Sequence, residues 1–90
     1  MILATTKVAD FDRFIKTFST KAAEKRKEYG SRGSRVFRDP DDPSRVWVEF
    51  DWETEGYDRF IADPEVSSIF QEAGLERPPV KAEPAGEYDA

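Results

Sequence analysis

The chain has 90 residues, of which 38% are hydrophobic and 37% charged, and its formal net charge is −5. This size and composition predict one small soluble domain whose core depends on 7 Phe, 2 Trp and 3 Tyr residues. The chain has no histidine and no cysteine, which excludes Ser-His-Asp triads, cysteine nucleophiles, disulfides and His-Cys zinc sites.

The charges are unevenly distributed along the chain. Residues 1–38 hold 10 Lys and Arg against 4 Asp and Glu, a net +6, whereas residues 39–90 hold 4 against 15, a net −11. A basic segment of this kind occurs in nucleic-acid-binding proteins, but it also arises when two parts of a fold pair with each other. Because the whole chain is acidic and would repel phosphate at long range, we expect pairing within the fold or across a dimer, and no nucleic-acid partner. The basic cluster comprises Lys21, Lys25, Arg26, Lys27, Arg32, Arg35 and Arg38.

The N-terminal apolar run is short. Ile2 to Ala4 is far below the length of a signal-peptide core or a membrane span. Together with the absence of cysteine, this run predicts a cytoplasmic protein without a membrane partner.

The first part of the chain predicts a strand followed by a long helix. Ile2 to Val8 is rich in β-branched residues and therefore predicts a strand. Asp10 has the character of a helix N-cap, and Gly30 can end a helix in the left-handed conformation. Between them, an apolar stripe at helical spacing predicts one amphipathic helix. The stripe consists of Phe11, Phe14, Ile15, Phe18 and Ala22.

Two further strands are predicted around a turn. Arg32 to Arg38 and Arg45 to Trp52 flank residues 39–44, in which three Asp, two Pro and one Ser favour a turn. The Asp residues lack the glycine and distal Glu of an EF-hand, so the segment predicts a solvated turn and no metal site. The strand from Arg45 alternates between two faces, which indicates a half-buried strand in an antiparallel sheet with helices on one side. Val46, Val48, Phe50 and Trp52 form one face, and Trp47, Glu49 and Asp51 form the other.

The last part of the chain predicts a broken helix and a weak strand. Thr54 is the expected first cap, and Asp63-Pro64 is the expected break, because Asp is a good N-cap and Pro fits the first helical position. Gly74 is expected to end the helix, and Val80 to Glu83 to form the strand. We therefore predict an α+β, ferredoxin-like β-α-β-β-α-β domain over residues 1–84 and a polar tail over residues 85–90. The predicted helix–sheet core is Phe14, Phe18, Val48, Phe50, Phe60 and Phe70.

Five residues form the candidate ligand pocket, although no catalytic residue can be assigned: Trp47, Glu49, Asp51, Trp52 and Tyr57. They cluster near the end of the strongest strand and the turn after it, and a carboxylate beside an indole in a partly dry site can act as a general base. Two structural alternatives remain open. The carboxylates can instead pair with Arg35 or Lys7, and Trp52 and Tyr57 can be ordinary core or rim residues.

The segment from Arg35 to Gly74 resembles small dimeric α+β barrel proteins of the antibiotic biosynthesis monooxygenase type. The resemblance rests on the hairpin Val36 to Trp52, on Tyr57-Asp58-Arg59-Phe60-Ile61-Ala62-Asp63-Pro64, and on Phe70-Gln71-Glu72-Ala73-Gly74. In that family an acidic residue, a second residue and Trp end a strand, and the following helix ends before Pro. Asp51-Trp52, where the acidic residue directly precedes Trp, and Asp63-Pro64 stand at those places here.

The resemblance implies a ferredoxin-like fold in which two sheets face each other across a homodimer. Characterised members include cofactor-independent oxygenases of aromatic polyketides and heme-degrading enzymes with an axial His, a residue that this chain lacks. The oxygenases use Trp, Tyr, Asn or Arg around an apolar cavity, which implies roles for Trp47, Trp52 and Tyr57. The expectation is a homodimer that binds or oxidises a small aromatic ligand without a cofactor. The alternatives are a non-catalytic binding or interaction module and an RNA-recognition-like domain, and the outward acids beside Trp47 disfavour the latter.

Overall fold

The computed structural model describes residues 1–90 and has eight elements in the order β-α-α-β-β-α-α-β. The strands are β1 (Ile2–Lys7), β2 (Gly33–Arg38), β3 (Arg45–Asp51) and β4 (Val80–Lys81). They form one antiparallel sheet in the order β2-β3-β1-β4. The helices are α1 (Phe11–Phe18), α2 (Lys21–Glu28), α3 (Thr54–Ala62) and α4 (Pro64–Ala73). With each pair of helices counted as one connection, the predicted ferredoxin-like fold is confirmed.

Alternation along β3 separates a buried face of the sheet from an open one. Val46, Val48 and Phe50 are at most 6% exposed and face the helices, whereas Trp47 and Glu49 are half-buried on the other side. This confirms the predicted assignment of the strand faces. The core between the helices and the sheet contains four of the six predicted residues as buried members, and Phe18 and Phe70 pack against it while partly exposed.

The first helical connection is interrupted, and the prediction of one long helix was wrong at this point. Thr20 has φ −119° and ψ −94°, outside the helical region, and it separates α1 from α2. Its hydroxyl donates to the Lys16 carbonyl at 2.7 Å, and the Ser19 hydroxyl donates to the same carbonyl at 3.4 Å. Hydroxyl groups that bond the preceding turn compete with the helical ladder, so two of them in succession favour a break.

The second helical connection follows the prediction more closely. Asp63 caps α4 by accepting from the Glu65 amide at 2.9 Å, Pro64 is the first residue of that helix, and Gly74 ends it with φ 79°. The Tyr29 hydroxyl also donates to the Asp63 carboxylate at 2.7 Å. This hydrogen bond is the main cause of the lowered pKa of Asp63. Thr54 was expected to cap α3 but is its first residue, and Glu53 occupies the cap position without a side-chain bond.

Ion pairs connect the basic first part of the chain to its acidic second part. Lys21 bonds Glu72 at 2.9 Å, and Lys25 contacts Asp63 at 3.1 Å. Similar pairs join Lys7 to Asp42, Arg32 to Asp51 and Arg35 to Glu49. The uneven distribution of charge along the sequence therefore corresponds to complementary surfaces within the fold.

The C-terminal part of the chain contributes little regular structure. The last strand covers only two of the four residues expected for it, Val80 and Lys81, and residues 82–90 are exposed and have no helix or strand. None of the helices combines the length and the apolar character that crossing a membrane requires.

Candidate functional site

An apolar cavity lies between the helices and the buried face of the sheet. Thirteen of its 17 lining residues are hydrophobic, and about 50 Å³ is open to a water-sized molecule. A volume of this size holds only a few water molecules, so an aromatic ligand must displace side chains on entry. The half-buried residues Phe18, Ile61 and Phe70 line the cavity on the helix side.

Tyr57, near the start of α3, is the predicted site residue that lines this cavity. Its side chain is 3% exposed, and its ring lies 5.7 Å from Phe50 and 5.6 Å from Trp52, centroid to centroid. Burial raises the pKa of Tyr57 to about 12, so its hydroxyl stays protonated at neutral pH. Every fully enclosed side-chain polar atom has a protein partner, and the Tyr57 hydroxyl has none, so its oxygen is not fully enclosed. It can therefore donate a hydrogen bond to a ligand oxygen.

Trp52 packs against Tyr57 and belongs to the same hydrophobic core. Its indole is 2% exposed and its Nε1–H donates to the Tyr29 carbonyl at 2.8 Å. The Trp52 ring also packs edge-on against Phe60, at 5.1 Å between centroids. Trp52 thus supports two residues of the cavity wall, Tyr57 and Phe60, but does not itself line the cavity.

The other three predicted site residues lie on the open face of the sheet. Glu49 accepts from Arg35 at 2.7 Å across the β2–β3 ladder, and Asp51 accepts from Arg32 at 2.9 Å. The hydrogen bond from Arg32 lowers the pKa of Asp51 below its usual value. Trp47 is on the same face as both carboxylates. The structure therefore brings Trp52 and Tyr57 together on the helix side of the sheet, apart from Trp47, Glu49 and Asp51.

Arg26 is a cavity residue that the sequence pattern placed only in a basic cluster. It is 8% exposed, forms no ion pair, and its Nη1 donates to the Phe18 carbonyl at 2.9 Å. The guanidinium lies 3.8 Å from the centroid of the Phe18 ring, and burial lowers the pKa of Arg26 to about 10. One feature of the sequence does indicate that Arg26 faces the core. It lies four residues after Ala22, on the apolar stripe of the predicted helix.

The turn at residues 39–44 uses its carboxylates locally. Asp39 accepts from the amide of Asp41 at 2.8 Å, and Asp42 accepts from the Ser44 hydroxyl at 2.6 Å. These are the side-chain bonds that stabilise tight turns. Nowhere in the chain do three or more carboxylates converge in a way that would hold a metal ion.

Comparison with known proteins identifies the fold but not the activity. No protein-family model and no curated protein matches the chain. A variant of SnoaB, a cofactor-independent oxygenase from Streptomyces nogalater, has a similar structure with a TM-score of 0.66 and 14% identity, over 96% of this chain and 92% of that one. A candidate antibiotic biosynthesis monooxygenase from Caulobacter crescentus CB15 gives 0.64 and 17%, over 90% and 82%. A conserved protein from Methanosarcina mazei Go1 gives 0.63 and 17%, over 90% and 85%. At these identities the similarity shows a shared fold.

Proposed function

We propose that this protein binds a small hydroxyaromatic molecule in its helix–sheet cavity and oxidises it with O2 without a cofactor. The observation that carries the proposal is the apolar cavity itself, with Tyr57 among its lining residues. A pocket lined by aromatic side chains with few polar groups is typical of sites for small apolar ligands. The fold shared with SnoaB, described as a cofactor-independent oxygenase, supports the oxidation step.

The ligand would supply the electrons in such a reaction. A phenol of the 1-naphthol type reacts with one O2 to give a para-quinone and water: one oxygen atom enters the ring and the other leaves with two hydrogens. Tyr57 would donate a hydrogen bond to the ligand oxygen, where negative charge develops as the phenol loses its proton. The carboxylates Glu49 and Asp51 lie on the opposite face of the sheet, so we assign neither of them as a base in this cavity.

Binding is tested by fluorescence with a single tryptophan. In a Trp47→Phe background, Trp52 is the only remaining tryptophan and lies 5.6 Å from Tyr57. We expect 1-naphthol to quench its emission saturably, and Tyr57→Phe to weaken binding about 5- to 10-fold, the value of one hydrogen bond.

The control is Tyr88→Phe, because Tyr88 is 88% exposed in the C-terminal segment and should leave the affinity unchanged. Absence of quenching would overturn the cavity as the binding site. Equal affinities for the two Tyr variants would remove Tyr57 from the site. Saturable quenching without any O2 consumption or quinone absorbance would favour the alternative, a non-catalytic binding module.

The open face of the sheet supports a second proposal, a homodimer in which two sheets face each other. A row that is apolar apart from Thr5 crosses this face, because Phe37, Trp47, Thr5 and Val80 are register partners on adjacent strands. Phe37 is 47% exposed and Val80 58%, and Leu3 beside them is 44% exposed. Exposed apolar surface of this kind, opposite the helices, supports protein association at this face.

The charges that flank this row are mostly paired within the chain, so the apolar row itself carries the proposal of a second copy. Lys7 and Arg45 are register partners at one end of the β1–β3 ladder, and Asp51 lies at the other end of β3. Lys7 pairs with Asp42 and Asp51 with Arg32 within one copy, and a twofold axis would bring the apolar rows of two copies together. The same outer face would then be enclosed, with Trp47 and Glu49 inside the barrel.

The homodimer is tested by sedimentation equilibrium at micromolar concentration. We expect a dimer for the natural sequence and, for Phe37→Asp, a dissociation constant raised about 100-fold, because a twofold interface contains each substituted residue twice. Ser68→Asp, on the exposed side of α4, is the control and should remain dimeric. A natural chain that sediments as a monomer would overturn the barrel arrangement.

A further inference from the structure

Arg26 lines a second cavity as well as the apolar one. This cleft lies where α2 ends and β2 begins, has a volume of about 120 Å³, and shares only Arg26 with the apolar cavity. It is lined by Ala23, Arg26, Lys27, Ser31, Arg32, Gly33 and Ser34. Three of these residues are cations, two carry hydroxyl groups, and none is acidic.

The charge of this cleft is only partly neutralised. Arg32 is engaged by Asp51 at 2.9 Å and by Glu53 at 3.4 Å. Arg26 and Lys27, by contrast, form no ion pair, and Arg26 uses one of its five donors on the Phe18 carbonyl. A cation that is 92% removed from solvent without a counter-ion is costly, and an anion placed beside it recovers that cost.

We propose that the cleft binds a carboxylate or phosphate group of the molecule whose apolar part occupies the helix–sheet cavity, with Arg26 between the two parts. This inference rests on the proposed ligand-binding function and adds the ligand class: an aromatic anion. Lys27 supplies a second charge at the cleft, and the hydroxyl groups of Ser31 and Ser34 can donate to the remaining oxygens. The acidic charge of the whole chain opposes anions at long range, so recognition must come from these close contacts.

The test compares three probes of the same ring size: neutral 1-naphthol, 1-naphthoic acid and 1-naphthyl phosphate. Their affinities are measured by Trp52 quenching in the Trp47→Phe background. We expect at least one of the two anions to bind about 10-fold more tightly than 1-naphthol, and this advantage to shrink as salt is added. The better anion identifies the group that the cleft prefers.

Two variants test whether the tighter binding of the anion depends on the cleft. Lys27 is exposed, so Lys27→Gln should fold normally and should reduce the ratio of anion to naphthol affinity several-fold. Arg26→Met keeps an apolar stem and should abolish the advantage. Lys16→Gln removes an exposed lysine of α1 outside both cavities and should leave the ratio unchanged.

The outcomes separate the two proposals. If 1-naphthol binds and neither anion binds more tightly, the anion site is wrong while the cavity stands. The anion site is also wrong if Lys27→Gln keeps the full advantage. If none of the three probes binds, the proposed function fails and this inference fails with it.

Discussion

Replacement of Phe50 by alanine is expected to lower the free energy of unfolding by about 3–5 kcal/mol. Phe50 lies in β3, is 6% exposed, and its ring packs against Trp52 at 5.5 Å and Tyr57 at 5.7 Å between centroids. The substitution removes buried apolar area and leaves a cavity that the rigid sheet cannot fill. Urea unfolding followed by circular dichroism measures the change.

The matched control for this experiment is Phe37→Ala. Phe37 is also a strand aromatic, but it lies on the open face and is 47% exposed. At a protein concentration where sedimentation finds monomers, it should cost less than half as much as Phe50→Ala. A Phe50→Ala effect below about 1 kcal/mol would contradict the assignment of the strand faces.

The strand faces were predictable from the sequence because a strand has a strict two-residue period. Alternation along Arg45 to Trp52 fixes which side chains meet the helices, with Val46 buried and its neighbour Trp47 facing outward. The break at Asp63-Pro64 was equally accessible, since capping and the missing amide of proline act locally. Local chemistry and short periods together therefore predict the element order and the sheet.

The interruption between α1 and α2 was not predicted, although its cause is local. The apolar stripe continues through residues 11–22, so periodicity alone favours one helix. The competing signal is the Ser19-Thr20 pair, whose hydroxyl groups bond the Lys16 carbonyl. Serine and threonine are tolerated inside many helices, so the pair alone did not predict the break.

The site was only partly accessible because it depends on contacts between distant segments. Trp52 and Tyr57 are close in sequence, and their proximity in space followed from the strand-to-helix turn. Glu49 and Asp51 are also close to them in sequence, yet their position on the opposite face separates them from the cavity. The spacing of Arg26 from Ala22 places it on the apolar stripe, whereas its part in the second cavity depends on how β2 follows α2.

Gly56, the residue before Tyr57, lies in close contact with Tyr29 and Trp52. A methyl group at this position would overlap the Tyr29 carbonyl oxygen and would lie 2.7 Å from the Trp52 Nε1 atom. These two atoms form the hydrogen bond that joins the end of α2 to the residue after β3. Glycine at this position therefore allows α3 to approach the bond closely.

Gly56→Ala is expected to destabilise the protein by about 2–4 kcal/mol, although alanine is the better helix former. Alanine gains about 1 kcal/mol of helix propensity within α3. The added methyl group clashes with the Tyr29 carbonyl and the buried Trp52 indole. Relief of the clash breaks the hydrogen bond between them and displaces Trp52, and these two costs together exceed the gain in helix propensity. Urea unfolding and a red shift of Trp52 emission in the Trp47→Phe background report the two effects. Gly33→Ala is the control, because a methyl group there meets no atom within 4 Å. A Gly56→Ala variant as stable as the natural chain would show that α3 does not pack against the Trp52–Tyr29 bond.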